Sequence, residues 1–265
     1  MFQPLYVAAT GLSAMQDEIL NITDNLANAK TVGFKKGRSE MESLFYIEKS
    51  FQDVLYDQMS GSDSPPVDVE YGTGVRVAAT PCDFTEGTYT TTSSPLDLAV
   101  KGEGFLIFKL PDGTNAYGRA GNLHLDNEGN LVDPNGRKLD PEIIIPAGTT
   151  SIIITQDGVV QAALNNETTY SEIGQISLAK FTNPAGLKKL GQNLFAASDS
   201  SGEPMIGTSG EDGFGVINQY SLEDSNVDVI SEMMRMVMVQ RVFDSVTKAV
   251  QSYEAMLTSV DRMKQ

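Results

Sequence analysis

Two heptad stripes, one near each end of the chain, limit what this sequence can fold into. Near the start, apolar residues stand at Leu5, Ala8, Leu12, Met15, Ile19, Ile22 and Leu26, in alternating steps of three and four. That rhythm lines them up on one side of a helix, as a seam for a partner helix. Pro4 suits a first helical turn, and Gly33 suits a stop. A helix is therefore expected from about Leu5 to Ala29, roughly 37 Å long at 1.5 Å per residue. Near the end, Val239, Phe243, Val246, Val250, Tyr253, Leu257 and Val260 repeat the pattern. Val229, Met233 and Met236 extend it upstream after a small slip in phase, and Ser225 or Asn226 is suited to cap it. Long helices of this kind are marginal in water without a packing partner, and apolar stripes this long mark association surfaces. An intramolecular hairpin against the rest of the chain is the plainer alternative. Six of the eleven methionines lie in the C-terminal arm. Their adaptable side chains suit several neighbours at differing geometry, and equally suit an ordinary core.

The middle of the chain follows a different rule. Turn signals recur at short intervals, among them Pro111-Asp112-Gly113, Asn127-Glu128-Gly129, Asp133-Pro134-Asn135-Gly136 and Asp157-Gly158. Between them lie short alternating runs, such as Leu96, Leu98 and Val100, or Phe105 and Ile107. The pattern predicts a compact antiparallel β-domain from about Thr80 to Tyr220. Ser60 to Pro66 is the most linker-like stretch of the polar segment before it. The expected class is α+β: long N- and C-terminal helices of coiled-coil type flanking an inserted, mainly antiparallel β-domain. The divisions are 1–35 with 225–265 for the helices, 36–79 for an extended linker and 80–224 for the β-rich domain.

Composition removes several functions. With 19 Lys and Arg against 35 Asp and Glu, the formal charge is −16, which repels phosphate, so neither nucleic acid nor an anionic membrane is an expected partner. One Cys and one His exclude a disulfide framework and most zinc sites. The longest aliphatic runs are three residues, Ile143 to Ile145 and Ile152 to Ile154, far short of the roughly twenty a bilayer span needs. Lys30 is the first basic residue, so no secretory signal is expected. Gly102-Glu103-Gly104 begins a dinucleotide pattern that Ile107 breaks, and it reads as a turn before a strand. Asp126 to Gly129 reads as a hairpin turn rather than a calcium loop. Ser177 and Lys180 are expected on opposite faces of a strand. Ser245 and Lys248 share a helix face with nothing assembled around them. His124 is expected to face solvent, and Cys82 to be buried. No constellation reaches a reaction class, and no cofactor or metal is expected.

The first stripe runs into Asn25-Leu26-Ala27-Asn28-Ala29-Lys30-Thr31-Val32-Gly33-Phe34-Lys35. This closely resembles the N-L-A-N-x-x-T-x-G-F-K signature of the bacterial flagellar basal-body rod and hook proteins. Leu96 to Phe105, Ile145-Pro146-Ala147, Asp157-Gly158-Val159 and Gly191 to Phe195 are similar to the family's central blocks. Ser225-Asn226-Val227-Asp228-Val229 and Met236 to Arg241, ending in Gln240-Arg241, are similar to its C-terminal motifs. The similarity covers nearly the whole chain. Glu42 to Tyr46 and Tyr71 to Val75 look most like those of the distal rod subunits. Val242-Phe243-Asp244 and Tyr117 to Gly121 depart from the family's usual wording.

The resemblance implies a structural subunit, not an enzyme. It implies export through the flagellar type III apparatus without a cleaved signal, and addition to a growing helical homopolymer that crosses the periplasm as the distal rod. Proximal rod proteins, the hook protein and the P- and L-ring proteins are its implied partners. The subunit–subunit interface is expected at the two stripes, from Leu5 to Leu26 and from Met233 to Val260. A rod must be straight where a hook bends, and Phe51, Val54, Leu55 and Tyr56 are the expected source of that stiffness. Another axial subunit, or a secreted β-domain enzyme or glycan-binding protein, is the alternative.

Overall fold

The computed structural model describes residues 3–49, 69–164 and 170–263. Helix α1 spans Gln3–Ala27 and helix α2 spans Val229–Met263, with 25 and 35 residues. Among the described residues everything regular between them is β-strand apart from a short 3-10 turn at Pro184–Gly186, and every described pair of strands is antiparallel. The chain is therefore α+β, with a helix at each end and an antiparallel β-region inserted. It divides into two compact units. The first holds 1–24, 38–80 and 230–265; the second holds 25–37 and 81–229.

In the first unit most stripe residues of both helices are half-buried, and the covered face of α1 extends beyond the stripe to Ala14 and Glu18. Ala14 and Ile22 of α1 and Val239 of α2 are buried. Glu18 and Arg235 pair at 3.0 Å, so α1 and α2 lie side by side there. Glu40–Ser43 pairs with Val75–Ala79, and Tyr46–Lys49 with Val69–Gly72, making a narrow two-stranded ribbon. Its base touches α1. The Thr10 hydroxyl accepts from the Val75 amide at 3.4 Å, and a Cβ at Gly74 would stand 2.1 Å from that hydroxyl. The Asn21 amide donates to Ser39 at 3.1 Å. Segment 36–79 thus contains two pairs of strands; Ser60 to Pro66 falls outside the described residues.

The second unit is built around one strand, Phe105–Lys109. It pairs with Asn115–Gly118 on one side, and with both Lys138–Leu139 and Ser177–Lys180 on the other. Leu106 and Phe108 enter a large core with Leu98, Leu131, Val160 and Ile217. Phe105 and Ile107 enter a second core of Phe181, Phe195, Tyr117 and Cys82 on the opposite face. A four-residue apolar run covered on both faces explains why Phe-Leu-Ile-Phe is unbroken by polar residues. Burying each of these side chains contributes about 1.5–3 kcal/mol. The aromatic rings of the second core meet edge to face, with Phe84 and Phe195 5.0 Å apart and Tyr117 and Phe181 4.8 Å apart. Cys82 is buried and His124 exposed. Asp126 to Gly129 is a hairpin turn between His124–Leu125 and Leu131–Val132.

One expectation shifts in place. α1 ends at Ala27, well before Gly33. Successive tight turns follow, with the Thr31 amide on the Asn28 carbonyl and the Phe34 amide on the Thr31 carbonyl. Gly33 has φ of +69°, and a Cβ there would lie 2.5 Å from the Ala120 nitrogen. The glycine is required by a close approach of backbones rather than by the helix end.

Candidate functional site

The N-terminal signature and the C-terminal signature meet inside the second unit, where they form a buried polar clasp. Asn25, the last buried residue of α1, turns its side chain onto the backbone twelve residues ahead. Its Oδ1 accepts from the Gly37 amide at 2.8 Å and its Nδ2 donates to the Gly37 carbonyl at 2.9 Å. Gly37 in turn bridges Cys82. Asn226 performs the matching task from the other end. Its Oδ1 accepts from the Lys36 amide at 2.9 Å, and its Nδ2 donates to the Asp83 carbonyl at 2.8 Å. An asparagine is suited to both places because it offers donor and acceptor on one rigid amide.

Three ionised side chains lie beneath these amides. Lys35 Nζ donates to Glu223 Oε1 and to the Thr85 carbonyl, both at 2.6 Å. Arg119 approaches the other oxygen of Glu223 at 3.4 Å, and donates to the carbonyls of Val100 at 3.0 Å and Gly102 at 2.8 Å. The Gly87 amide donates to Glu223 at 3.0 Å, and the Gly33 amide to the Glu223 carbonyl at 2.8 Å. The side chains of Lys35 and Glu223 are wholly buried and that of Arg119 nearly so. Arg119 also lies 5.3 Å from the centre of the Phe105 ring. Burial pulls the Lys35 ammonium below the ordinary lysine value, against the Glu223 carboxylate that holds it up. Burial also pushes the Tyr89 hydroxyl up, and its hydrogen bond to Glu86 adds to the effect.

This arrangement holds backbone together: its side chains bind main-chain amides and carbonyls from 33–37, 83–87 and 100–102. Among the described residues no group of three or more His, Cys, Asp or Glu is placed to hold a metal ion. No helix among them is long and apolar enough to cross a membrane.

The signature residues do not all reach the clasp. Gly33 and Ser225 are buried; Leu26, Asn28, Phe34 and Val227 are half-buried; Ala27, Gln240 and Arg241 are exposed. Of the stripe residues, Leu5, Leu12, Met15 and Ile19 are half-buried and Ile22 is buried. In α2 the half-buried face carries Met236, Phe243, Val246, Val250, Tyr253 and Leu257 around buried Val239. Met233 departs from it and is 50% exposed. Two successive three-residue steps, 233 to 236 to 239, rotate it about 120° from Val239 at 3.6 residues per turn. Val260 belongs to α2, and its side chain lies outside the described set. Phe51, Val54, Leu55 and Tyr56 all lie outside the described residues. Glu223 and Arg119, the centre of the clasp, were not singled out from the sequence. The only signal was a charged residue in strongly patterned β-sequence, which resembles any solvent-facing position.

Comparison with known proteins agrees with the geometry. Family models match in three places: the flagella basal body rod protein over 5–35, the flagellar hook protein FlgE/F/G D1 domain over 99–162, and the flagellar basal body rod FlgEFG protein C-terminal region over 218–263. The flagellar basal-body rod protein FlgG of Caulobacter vibrioides is 36% identical over 262 residues, covering 99% of both chains. FlgG of Borreliella burgdorferi is 35% identical, covering 100% of this chain and 99% of its own. The flagellar hook protein FlgE of Escherichia coli is 34% identical over 119 residues, 45% of this chain and 29% of its own. With both terminal signatures folded into one clasp, and full-length identity above a third, the chain belongs to the FlgG family of flagellar basal-body rod proteins, which are structural proteins and not enzymes.

Proposed function

We propose that the chain polymerises through its two terminal helices into the distal rod, a rigid tube that carries torque from the motor to the hook. The observation that supports this best is the clasp. It ties residues 25–37 to residues 223–226, so α1 and α2 are anchored to one buried core at their inner ends. The stripes then give each helix a face for packing, and in this reading the faces form a coiled-coil inner wall. Segments 1–35 and 225–265 make that wall, 36–79 connects, and 80–224 forms the outer wall. Proximal rod proteins and the hook adjoin it at either end, and the P and L rings surround it in the periplasm. An acidic outer surface keeps the rod from adhering to those rings. Subunits reach the tip through the flagellar type III export apparatus without a cleaved signal. The segment holding Phe51, Val54, Leu55 and Tyr56 braces neighbouring subunits and keeps the polymer straight.

Electron microscopy of the purified chain at rising concentration, beside sedimentation, tests the reading. Straight filaments above a threshold concentration are expected. A chain that stays monomeric at every concentration overturns it.

A further inference from the structure

The chain carries a net charge of −16, yet one groove of its second unit gathers three cations. The groove has a volume of about 550 Å³ and is lined by Lys109, Arg137 and Lys138, with Asn135, Gln192 and a single acid, Glu142, among them. Lys109 and Lys138 are register partners on neighbouring antiparallel strands, so two like charges share one face. That arrangement costs stability. Lys138 is answered only at long range, by Glu128 at 3.6 Å and Glu142 at 3.9 Å. Lys109 is exposed and, among the described residues, has neither an ion pair nor a side-chain hydrogen bond. Arg137 is the covered member, with a side chain only 10% exposed. Asp133 stands 3.7 Å from it, too far for a hydrogen bond. Its guanidinium donors are therefore unspent among the described residues. The turn that presents it is held firmly: Asp133 Oδ1 accepts the amides of Asn135 at 2.9 Å and Arg137 at 2.8 Å. Gln192 and Asn193 form a two-residue hairpin turn with φ of +54° and +60°. Asn or Gly is usual at such positions, so the backbone gives no reason for a glutamine, and the Gln192 amide has no hydrogen bond among the described residues.

We propose that this groove binds an acidic peptide segment, with Arg137 taking one carboxylate, Lys109 and Lys138 a second, and the Gln192 amide hydrogen-bonding the peptide main chain. A guanidinium fork matches a carboxylate in a bidentate pair, and a lysine adds a point charge without that directionality. Such a ligand also resolves what the fold leaves open, since its negative charge relieves the repulsion between Lys109 and Lys138 and occupies the donors of Arg137. The size of the ligand decides between anions. A short acidic segment meets the local field of the groove, because negative charge farther away than about 10 Å is screened at 0.1 M salt. A long polyanion such as nucleic acid runs past the groove onto a surface whose net charge repels it. Glu142 opposes the incoming carboxylates and limits the affinity. Binding of this kind does not depend on polymerisation.

The test is the fluorescence anisotropy of a labelled hexaglutamate peptide titrated with the full-length chain at low salt. Saturable binding is expected, weakening as salt rises. Arg137→Gln should weaken it about tenfold or more, as the loss of a bidentate charged contact does. Lys109→Gln, at an exposed side chain without a partner of its own, should weaken it several-fold and leave the melting temperature unchanged. Glu142→Gln should tighten it, which a folding defect would not do. Lys248→Gln, at an exposed lysine outside the groove, should leave it unchanged. No binding of hexaglutamate by the wild type overturns the site. Binding that the Arg137 and Lys109 variants share undiminished overturns it too, because the peptide then sits elsewhere. Tighter binding of inorganic tripolyphosphate than of hexaglutamate at these same residues overturns the acidic-peptide class.

Discussion

Glu223 is the residue on which the clasp turns. Its carboxylate faces two cations and one backbone amide in a wholly buried setting. Removing it leaves Lys35 and Arg119 buried without their counter-ion, which costs about 3–5 kcal/mol in such sites. Glu223→Gln should therefore lower the denaturant midpoint sharply, with the slope unchanged; a shift equivalent to less than about 1 kcal/mol would show that the clasp is solvated. Lys35 carries a pH signature. Its folded pKa lies below the ordinary 10.5, so between those two values the unfolded chain holds more protons than the folded one. Stability contributed by Lys35 then rises with pH across that window. The difference in unfolding free energy between wild type and Lys35→Met should grow as pH climbs toward 10.5. A difference that is flat or falls with pH contradicts the burial argument. Gly33→Ala combines a left-handed backbone, worth about 1–2 kcal/mol against any other residue, with a collision against Ala120. It should destabilise the second unit by at least about 2 kcal/mol in thermal melts.

At the scale of elements, the helices and the β-region answer to different partners. The striped faces of α1 and α2 are half-buried over most of their described length, so a charge there meets apolar neighbours. Leu12→Asp in α1 and Val250→Asp in α2 each place a carboxylate on such a face, costing several kcal/mol or driving its pKa up. Both should abolish swimming in complementation assays. The melting transition of the second unit should stay within about a degree or two, because distant sites without shared partners act independently. Motile cells would mean that Leu12 and Val250 face no seam.

For the whole molecule, the clasp makes the second unit independent of how far the helices run. Both its halves, 25–37 and 81–229, are held by side chains within that unit. A chain ending before Val239 keeps every clasp residue. It should retain the cooperative melt of the β-region and fail to sediment as polymer; rod formation by it would place the assembly contacts elsewhere. Deleting residues 51–64 is expected to leave assembly intact and release curvature, visible in micrographs of the filaments.

The sequence by itself determined the periodic features. Steps of three and four along Leu5 to Leu26 specify a helical face without help from distant residues. Turn chemistry such as Asp126 to Gly129 likewise specifies a reversal within four residues, and the structure has one there. Only the tertiary structure decided which neighbours those faces meet. Which turn of the C-terminal helix is covered is one such case: Val239 is buried, whereas Phe243 and Val250, in the same apolar register, are only half-buried. Phe105 and Ile107 read as one buried face of a strand, but the intervening Leu106 and Phe108 enter a separate core. Lys35 is separated from Glu223 by 188 positions. A buried ion pair of that span has no local pattern, because its stability comes from a site the rest of the fold must first enclose.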